Sequence, residues 1–318
     1  MSFSTFRIHM PFIIPPILLE AIQKGTAYMS IWMYVIREME DAIEDCQIGC
    51  STASGENECN SDPVHAWDEA VAFYTGSLEG QDGSGSGVLL HALADKRCEN
   101  FYTCGTLGSK ELTGTSYVNT EVLRQFLDGQ RKLNEGRCEE AIPNKERITQ
   151  LMSIPLIQGT LRYAFIQGSE VSSDAKAEAE GATFAAAVLP LVHSCSEIDA
   201  ELIYTSMQLR KTDKPDFKAV KEAFERNYDC MNINCEEVGG LYDPVKGDYF
   251  PGAKPCGSSS KRGRRSRSEG GGLDDNQKLA IGLSVGGIVV MAIIVYLTGC
   301  CGPKAASPEM SSTGGELS

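Results

Sequence analysis

Apolar residues recur along this chain at helical rather than strand spacing. From Ile17 to Cys46, Tyr28, Met29, Trp32, Met33, Val35, Ile36, Met39 and Ile43 mark a long helix whose methionine- and aromatic-rich stripe packs on a core. A second helix is predicted from Pro63, which suits the first helical position behind a cap at Ser61 or Asp62, to the glycine at 80. Its stripe is Trp67, Val71, Tyr74 and Leu78, whereas His65, Asp68, Glu69 and Glu79 fall on roughly the opposite face. The run QDGSGSG (81–87) follows no strand and lacks the GK[ST] ending of a phosphate loop, so it reads as a flexible connection to a third helix over 87–104. Tyr117 to Leu133 is a fourth, with Cys138 and Pro143 expected to close that unit. A further helix runs from about Asp216 to Asp229, before an irregular cysteine- and glycine-bearing stretch. No alternating run competes, and the fold class is all-α, a helical bundle.

The chain also echoes itself. Ala72-Phe73-Tyr74-Thr75-Gly76-Ser77 is matched by Ala164-Phe165-Ile166-Gln167-Gly168-Ser169, and each precedes a loop and a helix bearing one cysteine, Cys98 or Cys195. An internal duplication is the simplest account, with units at about 63–138 and 150–235. The second unit does not copy the acidic face, because Ile157, Thr160 and Leu161 occupy the places of His65, Asp68 and Glu69.

Composition narrows the setting. Of 318 residues 42% are hydrophobic, enough for a sizeable core, and the net charge of -14 argues against a nucleic-acid partner. Ten of the twelve cysteines precede residue 260 (Cys46, Cys50, Cys59, Cys98, Cys104, Cys138, Cys195, Cys230, Cys235 and Cys256). Without paired zinc knuckles they read as disulfides stapling an ectodomain over 17–256 in an oxidising compartment. The apolar run in 1–16 is broken by Pro15 and Pro16 and makes a poor export signal, so it is read as a remnant or an incomplete start.

Residues 257–278 form a basic and glycine-rich linker containing KRGRRSRS, with an R-x-x-R pattern of the kind cut by secretory convertases. Residues 279–298 carry no charge over a length that spans a bilayer, which predicts one C-terminal transmembrane helix and a short cytoplasmic tail at 299–318. Basic residues before the span favour a cytosolic domain, but large domains cross regardless of such charge. The cysteines decide for a single-pass type I plasma-membrane protein with its large domain outside.

Candidate chemistry concentrates in residues 63–104. His65, Asp68 and Glu69 share one helical face, and His91, Asp95 and Tyr102 stand at i, i+4 and i+11 on the next helix. Imidazole, carboxylate and phenol suit a hard, oxygen-preferring metal such as ferric iron. The competing reading is a solvated charged face and a core tyrosine. A metallopeptidase is disfavoured because HAWDE supplies no HExxH arrangement.

The blocks HAWDEAVAFYTGSLEG, VLLHALADKRCENFYTC, IPLIQGTLRYAF and AAAVLPLVHSC, in this order, resemble the phytotransferrins, the algal iron-starvation-induced and iron-assimilating surface proteins, over about residues 60–235. The resemblance implies an all-helical extracellular domain, not an enzyme, that binds ferric iron with carbonate for high-affinity uptake by endocytosis, with endosomal passage and a ferric reductase or endocytic proteins as partners. A bound carbonate needs a cation beside it, for which Lys96, Arg97 and Arg162 are the candidates. Carbonate protonates in acid, so release on acidification is expected. The alternative is a bicarbonate- or CO2-responsive or structural surface protein that binds no iron.

Overall fold

The computed structural model describes residues 15–49, 62–76, 88–107, 115–169, 175–209 and 213–256. The first amphipathic stretch forms a continuous helical segment in which α1 (Pro16–Gly25) passes through a π-helical turn (Thr26–Ser30) into α2 (Ile31–Ile48). Asp62 caps α3 (Pro63–Thr75) by accepting a hydrogen bond from the Val64 N–H, and Gly76 at φ 72° ends it, before the expected stop at 80. After α4 (Leu90–Phe101), Tyr102 takes a left-handed φ of 58° and turns the chain away. The Cys98–Cys104 disulfide closes that turn.

Next come α5 (Tyr117–Asn134) and α6 (Cys138–Gly168). Pro143 does not close the preceding unit, because it lies within α6 one turn past the start and costs the helix one main-chain bond without ending it. The middle of α6, including Leu151, Met152, Ile154, Leu156 and Ile157, is fully buried. A helix apolar on all sides belongs at a core, and α2, α4, α5, α7 and α9 all pack on this one. The remaining elements are α7 (Ala175–Cys195), α8 (Glu197–Met207), α9 (Phe217–Asn227) and α10 (Cys235–Val238). The echoing segments end α3 and α6 respectively. One departure from the all-α expectation is an antiparallel pair, β1 (Tyr242–Asp243) and β2 (Asp248–Tyr249), too short to show alternation in the sequence.

Four disulfides are present among the described residues: Cys46–Cys138, Cys98–Cys104, Cys195–Cys230 and Cys235–Cys256. Cys50 and Cys59 lie outside them, as do the 81–87 loop, the 257–278 linker and the proposed span and tail. Among the described residues no helix is long and apolar enough to cross a membrane.

Two glycines set helix spacing near the predicted chemistry. At Gly159 of α6 a Cβ would lie 2.6 Å from the Phe184 ring, so the glycine lets α7 settle against α6. At Gly129 of α5 a Cβ would meet the buried Trp67 indole at 2.2 Å. Trp67 cannot easily yield, since its indole N–H donates to the Phe126 carbonyl at 2.9 Å. Gly129→Ala gains about 1 kcal/mol of helix propensity against an overpacking cost of about 3 kcal/mol. Urea unfolding should therefore show a net loss of about 2 kcal/mol at unchanged m-value; an unchanged midpoint would mean that α3 and α5 separate freely.

Candidate functional site

The residues predicted as metal ligands do not converge. His65 and Glu69 pair across one turn of α3 at 3.1 Å, with the His65 side chain 66% exposed. Asp68 accepts from the Gln130 side chain at 2.6 Å and, with His91, lines a cavity of about 490 Å³ among α3, α4 and α5. The walls of that cavity are otherwise largely apolar, with Trp67, Val71, Leu123 and Phe126 among them.

Asp95 is largely a structural carboxylate. Its Oδ1 accepts from the Ser116 N–H at 2.7 Å and the Asn119 side chain at 2.8 Å, joining α4 to the start of α5. Asn119 also donates to the His91 carbonyl at 2.9 Å and accepts the Tyr74 hydroxyl. His91 Nδ1 stands 3.8 Å from Asp95 Oδ2. The i+11 placement of Tyr102 fails because α4 stops one residue earlier, and its ring stacks on Tyr242 at 4.4 Å beside Tyr249. Among the described residues no three His, Cys, Asp or Glu side chains are grouped to hold a metal.

The predicted anion residues lie within electrostatic reach of one another. Arg97 of α4 is 3% exposed, and its Nε and Nη1 make no hydrogen bond. Burial first, and then the Arg162 charge from α6, lower its pKa to about 10, while Tyr28 and Glu180 act in the opposite sense. It is still protonated at neutral pH. Burial likewise lowers the pKa of Arg162. Lys96, at the exposed edge, is held below the usual lysine range by partial burial, then by Arg97 and Lys24.

Around these cations the fold adds residues that the sequence did not single out as functional. Glu20, Lys24 and Tyr28 recur every four residues on α1 and the π-helical turn, and Glu180 faces them from α7. Lys24 Nζ lies 3.7 Å from Glu20, 3.5 Å from Glu180 and 5.7 Å from the centre of the Tyr28 ring. Tyr28 is buried and stacks on Phe184 at 5.0 Å, which in turn stacks on Tyr163. Burial raises the Glu180 pKa, as does its hydrogen bond with Glu20. The only local signal was the i, i+4, i+8 spacing of Glu20, Lys24 and Tyr28 within an otherwise apolar stretch.

A family model described as low iron-inducible periplasmic protein matches residues 20–248, which spans α1 to the β-hairpin. No curated protein and no solved structure matches the chain.

Proposed function

We propose, on the premise that the chain belongs to the low iron-inducible periplasmic protein family, that it binds ferric iron together with carbonate outside the cytosol and serves iron acquisition. The observation that carries the anion half is Arg97. A guanidinium 3% exposed with two nitrogens unbonded is costly to keep unless something arrives to use it. With the Arg162 charge acting on it, it suits a small planar dianion, because guanidinium presents a fixed fork of donors to oxygen pairs. Carbonate has that shape and charge.

The metal half rests on family membership and on the hard carboxylate and phenol donors Glu180 and Tyr28, which lie within electrostatic reach of Arg97. Disulfides support a location outside the cytosol, and the uncharged run at 279–298 supports attachment to the plasma membrane with the helical domain outside. Uptake by endocytosis follows as the route that exposes such a complex to acid.

The test is ferric-iron titration of the full, disulfide-intact chain with and without bicarbonate, at neutral and acidic pH. Bicarbonate should tighten binding by about 10- to 100-fold. The gain should vanish in acid, where carbonate protonates. Iron affinity indifferent to bicarbonate would remove the anion from the mechanism, and absence of iron binding would leave the bicarbonate-responsive surface protein as the better reading.

A further inference from the structure

We propose that the ferric ion is bound by Glu20, Glu180 and Tyr28, next to the anion at Arg97, and that the Lys24 ammonium holds the cation's place when iron is absent. This rests on the reading of Arg97 and Arg162 as the carbonate site.

Charge and geometry carry the assignment. Lys24 Nζ stands within 4 Å of both carboxylates and 5.7 Å from the centre of the Tyr28 ring, so one positive group already occupies the space between the carboxylates, with the tyrosine beside it. The carboxylates are shielded, with Glu180 8% and Glu20 15% exposed, and Lys24 at 23% has a path to swing out. Arg97, with two unbonded nitrogens, lies within electrostatic reach of Tyr28 and Glu180. Two carboxylates and one phenolate would neutralise a ferric ion, and two guanidiniums would neutralise a carbonate bound with it.

Backbone geometry points the same way. Tyr28 sits on the π-helical turn, a local widening of the helix that is frequent at functional sites. The π turn keeps Tyr28 one turn beyond Lys24 and over Phe184. On binding, the phenol proton and any proton held between the carboxyl groups must leave for solvent, and Lys24 withdraws with its charge.

The other donors compare poorly. The exposed His65–Glu69 pair offers two ligands, the α3–α5 cavity offers Asp68 and His91 within apolar walls, and Tyr102 is engaged by the β-hairpin. Lys176, 3.9 Å from Glu20 and 64% exposed, lies at the rim.

The experiment loads the full chain with ferric nitrilotriacetate in bicarbonate at neutral pH and follows the phenolate-to-iron charge-transfer band and the dissociation constant. The wild type should show the band. Tyr28→Phe should lose it, and Glu20→Gln and Glu180→Gln should each weaken binding by about tenfold or more, the equivalent of 1.4 kcal/mol. Lys24→Met should tighten binding by about tenfold, a gain that misfolding cannot produce. If Tyr28→Phe keeps the band and Glu180→Gln keeps wild-type affinity while iron binding still needs bicarbonate, the ligand assignment is wrong and the functional reading stands. If wild-type protein binds no ferric iron, both fall.

Discussion

Removing the Cys46–Cys138 bridge should be the most destabilising covalent change available in the described fold. The bond spans 92 residues and joins the end of α2 to the start of α6, with Cα atoms 5.6 Å apart. In the chain-entropy account a loop of this length is worth about 4 to 5 kcal/mol, against about 2 for a loop as short as that of Cys98–Cys104. Replacing both cysteines by serine should lower the melting temperature by roughly 10 °C or more. The Gln47–Glu139 hydrogen bond and the Lys145–Glu40 ion pair at 3.3 Å also join these helices, but exposed polar contacts contribute little. A Cys98→Ser/Cys104→Ser pair provides the scale, and thermal unfolding of the two variants side by side checks the order. If the long-bridge variant melts with the wild type, packing of α2 on α6 already restricts the unfolded chain and the disulfide is incidental.

Helix existence was legible because it depends on local period and capping. Asp62, Pro63, the Trp67–Val71–Tyr74 stripe and the Tyr117–Leu133 pattern are short-range facts, and the fold follows them. What failed was extrapolation through helix ends. Tyr102 lies on the face of His91 and Asp95 only if α4 continues, yet the turn closed by Cys98–Cys104 sends its ring to Tyr242, 140 residues away in sequence. Pro143 looked like a stop because a proline near a helix end usually is one, whereas near the start of α6 it costs little.

The site divides along the same line. Arg97 and Arg162 stand out in the sequence for their charge, and burial deep in the bundle adds what no sequence pattern states, namely that Arg97 Nε and Nη1 make no hydrogen bond. Tyr28 read as part of a core stripe, correctly as to burial, since it is 5% exposed. Its neighbour Glu180 comes from a helix more than 150 residues further on, so their meeting is a product of α1 packing on α7. Local period can place a residue on a face but cannot say what that face meets.

Arg97→Met should raise the stability of the iron-free protein while abolishing the effect of bicarbonate. Methionine has similar length and flexibility, so it refills the space without carrying charge into it. In the native protein the guanidinium stays protonated near neutrality, with a pKa of about 10, and is repelled by Arg162 while two of its nitrogens make no hydrogen bond. Replacing a poorly compensated buried charge by an apolar side chain is worth about 1 to 4 kcal/mol. Loss of the Arg97 charge near Glu180 subtracts from this only modestly, because Lys24 remains 3.5 Å from that carboxylate. Thermal unfolding of the apo variant and iron titration with bicarbonate then move in opposite senses, stability up and the bicarbonate gain gone. A purely structural arginine would give the reverse, a lower melting temperature with bicarbonate dependence retained. Arg97→Lys separates charge from shape, since it keeps the cation but loses the planar fork; it should recover less than the full bicarbonate effect. The instability stored at Arg97 would then be the cost of keeping an anion site open in a buried place, recovered only when its ligand arrives.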